Sequence, residues 1–184
     1  MYPTHVSLSF SRNLSDTTFC PVVLSAWSKS NEPDKVQRAY RLVTGMVNRY
    51  RERQFTKPDQ LIFCSLIKVC CGAGDTEKEA ALVVAFQAME AMETGEYGPP
   101  TETAYALLLR AIRLCAPRND GYSRDTLQDK VFRNCARAGL ASQVALNELH
   151  PNMGRRLAEK FGLPWKKEIV PSTRAKSKSL QPLA

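Results

Sequence analysis

Apolar residues recur along this chain with the three-and-four spacing of amphipathic helices. Cys20, Val22, Val23, Leu24, Ala26 and Trp27 make a first apolar segment. Asn31-Glu32-Pro33-Asp34 interrupts it and places Asp34 as the N-cap of the next helix. Val36, Ala39, Tyr40, Leu42, Val43, Met46, Val47 and Tyr50 then trace one face, and Lys57-Pro58-Asp59 closes the unit. Leu61 to Cys71 is apolar and helical, Gly72-Ala73-Gly74-Asp75 is a turn, and Thr76 to Met92 reads as a long helix. After Gly98-Pro99-Pro100, a helix runs from about Thr101 to Cys115, followed by a loop from Ala116 to Gly121. Arg124 to Arg137 carries Leu127, Val131 and Cys135 on one stripe, with Gly139 as a left-handed cap. Ala141 to Leu149 and Pro151 to Phe161 are two shorter helices, and beyond Leu163 the periodicity fades, although Trp165 could pack back.

The order short helix, turn, long helix, proline-containing loop recurs. The segments starting at Cys20, Phe63 and Tyr105 align without gaps over eight residues, at lags of 43 and 42. Hairpins repeated at this period predict an all-α fold, an α-solenoid in which each hairpin buries its apolar face against its neighbours. The alternative is a helical bundle with accidental similarity. The expected division is a disordered or truncated N-terminal segment over 1–16, about two and a half hairpins over 17–121, C-terminal capping helices over 122–162, and a basic, disordered tail over 163–184.

The chain has 184 residues, 43% hydrophobic and 24% charged, which is ordinary for one globular domain. No run approaches the roughly 18 apolar residues of a membrane span. Met1 to Ser15 has one Arg and no apolar core, so neither a secretory signal nor a mitochondrial presequence is visible. The formal charge is +8, and +6 of it lies from Pro151 to Ala184, on Arg155, Arg156, Lys160, Lys166, Lys167, Arg174, Lys176 and Lys178 against Glu159 and Glu168. Such a balance suits an anionic partner; otherwise it is a solvated tail on a near-neutral body. Six cysteines occur without a C-x-x-C pair, and Cys70 and Cys71 are adjacent, so they read as reduced thiols used as small apolar side chains.

These hairpins resemble pentatricopeptide repeats. The resemblance rests on Phe63-Cys64-Ser65-Leu66-Ile67 followed by Ala73-Gly74, on the closing Lys57-Pro58-Asp59, and on the enlarged turn Lys29 to Asp34 before Gln37-Arg38-Ala39. Tyr97-Gly98-Pro99-Pro100 leading to Thr103-Ala104-Tyr105, with Val131 to Cys135 and Gly139-Leu140, is similar to the C-terminal ends of such proteins in diatoms and related algae. The likeness spans about Thr17 to Phe161. It implies a right-handed solenoid that binds single-stranded RNA in a mitochondrion or plastid, about one base per repeat. It further implies base-facing residues at Pro21, Cys64 and Ala106 on the first turns, and at Asp59 and Thr101 as closing residues. Pro21 and Ala106 have no side-chain donor or acceptor and Cys64 is a poor one, so these residues cannot run a hydrogen-bond code. Affinity is therefore expected from charge, with Arg155, Arg156, Lys160, Lys166 and Lys167 as phosphate contacts.

Catalytic chemistry finds little support. Gly72 to Asp75 does not continue into a phosphate loop. His5 lies near the terminus and His150 just before Pro151, where a surface or capping role is expected. Asp16, Asp34, Asp59 and Asp75 all sit at helix starts and read as N-caps. No deaminase-type H-x-E…C-x-x-C appears. The sequence thus predicts a non-enzymatic protein, with no metal, cofactor, small-molecule substrate or membrane contact, that supports RNA processing, stability or translation. A protein-interaction scaffold docking a partner on the concave face or near Trp27 is the rival reading. A third takes the chain as a piece of a longer array, since the first short helix starts abruptly at Thr18.

Overall fold

In the computed structural model, described over residues 19–54, 56–117 and 121–165, every regular element is helical. The helices are α1 (Phe19–Lys29), α2 (Lys35–Arg51), α3 (Gln60–Cys70), α4 (Lys78–Glu93), α5 (Glu102–Cys115), α6 (Gly121–Arg137), α7 (Gln143–Asn147) and α8 (Pro151–Phe161). Short and long helices alternate up to α6 as the apolar pattern required. The expected segment 1–16, Asp16 and Thr18, and the expected tail 163–184 beyond Trp165 lie outside the described residues.

The helices pack in chain order. α1 lies on α3, α3 on α5 and α5 on α7, while α2 touches α3 and α4, and α4 touches α5. The aligned positions explain this. Leu24, Ile67 and Leu109 are the fifth residues of the three repeated segments, and all are fully buried. Cys20, Phe63 and Tyr105 begin those segments and are buried too. One continuous core runs through the hairpins to α8, with Met46, Met89 and Met92 inside it.

Helix starts and stops follow local chemistry. Asp59 caps α3, its Oδ1 accepting from the Ile62 amide at 3.1 Å. Thr101 caps α5 through the Ala104 amide at 3.2 Å. Ser142 caps α7 through the Ala145 amide at 3.5 Å. Gly139 takes φ +71°, and the Leu140 amide returns to the Cys135 carbonyl, the 6→1 bond of a glycine-terminated helix.

Two expected caps differ. Asp34 adopts a left-handed conformation, φ 58°, and its side chain caps nothing. The neighbouring Lys35 organises the turn instead: it is buried, and its Nζ donates to the Ser30 carbonyl at 2.6 Å just beyond the end of α1. Asp75 opens a single 3-10 turn, Asp75–Glu77, and pairs with Lys78 at 2.6 Å, so α4 starts two residues later than its apolar pattern suggests. Gly72 is required by contact between helix ends. A Cβ there would lie 2.9 Å from the Ser28 carbonyl oxygen and 3.2 Å from Lys35 Nζ.

Candidate nucleic-acid interface

The short helices determine where the five expected base-facing residues go. Pro21 is half-buried on α1. Cys64 and Ala106, one turn into α3 and α5, are 8% and 6% exposed. Asp59 and Thr101 are the N-caps just described, so one oxygen of each is engaged by its own helix. The fold brings three of them together, Cys64, Thr101 and Asp59: the Cys64 thiol lies by the Thr101 hydroxyl, and both Cys20 and Cys64 feel the Asp59 carboxylate. Burial, helped by that carboxylate, pushes the Cys20 thiol up to about 11. Burial likewise raises Cys64, against a lowering by Thr101. Of these neighbours the two cysteines are buried, Thr101 is half-buried and Asp59 is exposed.

Charge gathers at the other end of the chain. α8 buries Met153, Gly154, Leu157 and Ala158 and turns Arg155, Arg156 and Lys160 outward. That division is what its sequence dictates, since the buried set recurs at helical spacing. Between α6 and α8 runs a groove of about 880 Å³, lined by Asp125, Asp129, Arg133, His150, Arg156 and Lys160 among others. Asp129 organises it. Arg133 grips that carboxylate with Nε at 2.5 Å and Nη2 at 3.2 Å, and Arg156 approaches it at 3.9 Å. The Asp129 hydrogen bond raises the Arg133 guanidinium further, a group already charged at ordinary pH. Three cations thus share a groove with two carboxylates, which leaves a positive surplus open to an anion. His150 sits at the N-cap of α8 with no capping hydrogen bond from its side chain. Lys166 and Lys167 lie outside the described residues.

Several structural residues escaped the sequence reading. Ser142 completes a series of N-caps with Asp59 and Thr101, 42 and 41 residues apart, and its hydroxyl donates to Glu102 at 2.5 Å. The cap series was detectable as a polar residue recurring at the period of the apolar repeat. Gln128 is buried on α6, its Nε2 donating to the Leu109 and Glu148 carbonyls at 3.3 and 3.4 Å. Glu148 draws in Arg110 at 3.2 Å and Arg113 at 2.8 Å, tying α7's end to α5. α2 carries five basic and no acidic side chains, with Arg38, Arg41 and Arg49 exposed.

The thiols are apolar packing groups. Cys20, Cys64, Cys70, Cys115 and Cys135 are buried and Cys71 is half-buried, all unpaired. Burial is the leading cause that raises each of them, carrying Cys71 and Cys135 to about 12. Among the described residues, no three His, Cys, Asp or Glu side chains are placed to hold a metal ion, and no helix is long and apolar enough to cross a membrane. No family model matches this chain, and neither a curated protein nor a solved structure does.

Proposed function

We propose that this protein is a non-catalytic binder of single-stranded RNA, built as a right-handed α-solenoid of pentatricopeptide-like hairpins. On this reading it grips the strand by its phosphates and reads bases weakly or not at all. The observation that carries the proposal is the outward basic face of α8 beside the groove that Asp129, Arg133, Arg156 and Lys160 line. The burial of Cys64 and Ala106, with Asp59 Oδ1 and the Thr101 hydroxyl engaged by their own helices, supports the second half, because these positions offer a base few free polar groups. A role in organellar RNA processing, stability or translation, in a mitochondrion or plastid, follows from the family resemblance alone.

A salt titration against several short RNAs tests this. Each phosphate neutralised on a single strand contributes about −0.7 to the slope of log K against log salt. Replacing Arg155, Arg156 and Lys160 together by Gln should flatten the slope by roughly 2. Removing 166–184, which deletes five basic residues and keeps Trp165, should flatten it by roughly 2–3. Losses should be similar for every sequence. Failure of the full chain to bind any RNA at low salt would remove the proposal. A strong preference for one sequence, retained by both variants, would return base reading to the short helices.

A further inference from the structure

α1 presents the same stacking stripe as α3 and α5, but among the described residues it is largely exposed. Ile62, Leu66 and Val69 on α3, and their aligned partners Ala104, Leu108 and Ala111 on α5, are all buried. The matching residues of α1 are Phe19, Val23 and Ala26. Phe19 is 54% exposed, Ala26 is exposed, Val23 is half-buried, and the adjacent Val22 is 62% exposed. The other stripe of α1, Cys20 and Leu24, is buried in the core that α1 shares with α3. In α3 the second stripe is therefore met by the hairpin before it, α1 and α2. In α5 it is met by α3 and α4. Nothing among the described residues meets it in α1.

We infer that this end face docks an amphipathic helix of a partner protein, one with an apolar stripe at i, i+4 and i+7 and acidic side chains beside it. Continuity fixes the shape of the occupant. α1 already lies on α3 and α3 on α5, so a helix on α1 extends the same interface by one member. The surface is ready for it, since α1 carries one charge, Lys29, at its far end. Charge fixes the chemistry. The hairpin that bears the stripe includes α2, whose Arg38, Arg41 and Arg49 are exposed, outweighing Glu32 and Asp34 in the turn before it. A second copy would bring that basic helix, or the basic α8 end, against its like, which opposes self-stacking.

The probe is a capped synthetic peptide of about 18 residues, with Leu and Ala along one stripe and Glu and Gln elsewhere, followed by fluorescence anisotropy against the full chain. Its twin carries Lys in place of Glu. The Glu peptide should bind with a Kd of order 100 µM or tighter and weaken as salt is raised. The Lys peptide should bind at least about tenfold more weakly. The double variant Phe19→Ser/Val22→Ser, both sites exposed, should melt like the parent and lose about tenfold in affinity for the Glu peptide. Absence of binding at about 1 mM peptide, equal binding of both peptides, or binding indifferent to the double variant would each overturn the inference. So would a dimer of the parent chain that the double variant converts to monomer, because a second copy would then occupy the face.

Discussion

Leu66 and Lys68 are two positions apart on α3 and face opposite environments. Leu66 is 2% exposed within the core, and Lys68 is exposed. Leu66→Asp would bury a charge with no partner and should destabilise the chain by about 4 kcal/mol or more, whereas Lys68→Asp should stay within about 0.5 kcal/mol. Thermal melts of the two variants check this. Equal melting temperatures would mean that α3 is rotated from the register described. That register was legible from apolar spacing alone, because a helix buried on two sides displays it at nearly every third or fourth residue. Polar positions were less legible. Asp34 and Lys35 both stand at the start of α2, and sequence favours the carboxylate as cap. The chain places the lysine inside, where its long side chain reaches a carbonyl at the end of α1 that Asp34 does not serve.

At the level of helices, the pattern predicted the order, the alternation in length and most boundaries, since each hairpin repeats one local design. What it missed lies between elements. Gln128 joins α6 to α5 and the turn after α7, and Glu148 joins that turn to two arginines of α5, over separations that periodicity does not encode. The candidate interface was legible in the same uneven way. The basic residues of α8 were visible as composition, but not that Asp129 of α6 faces Arg156 across the groove. Contact between helix ends also separates two neighbouring glycines. Gly72→Ala forces a methyl onto the fixed Ser28 carbonyl and should destabilise by about 1–3 kcal/mol. Gly74→Ala meets nothing within 4 Å and should be neutral or slightly stabilising. Chemical denaturation of the pair reads the difference, and equal stabilities would mean that α1 and α3 end farther apart than described.

Across the whole molecule, the buried thiols make stability depend on pH in one direction. Burial raises their folded-state values above the ordinary 9, to about 11 for Cys20 and about 12 for Cys71 and Cys135. The unfolded chain releases these protons first as pH climbs. The contribution is therefore complete below pH 9 and is lost progressively between 9 and about 12. Tyr97 and Tyr105, raised chiefly by burial, act in the same sense. Denaturant midpoints should hold steady from about pH 7 to 8.5 and fall through pH 10. A midpoint that rises over the alkaline range would contradict the burial of these side chains. The order of packing has one more consequence. The chain has two tryptophans. Trp27 rests half-buried on the first hairpin. Trp165 rests half-buried against Gly154 of α8, where a Cβ would run into its ring. Each indole therefore emits from its own end of the molecule, and its spectrum shifts to the red when water reaches that end. With Trp27 or Trp165 replaced by Phe, the remaining lamp shows whether α1 or α8 loosens first.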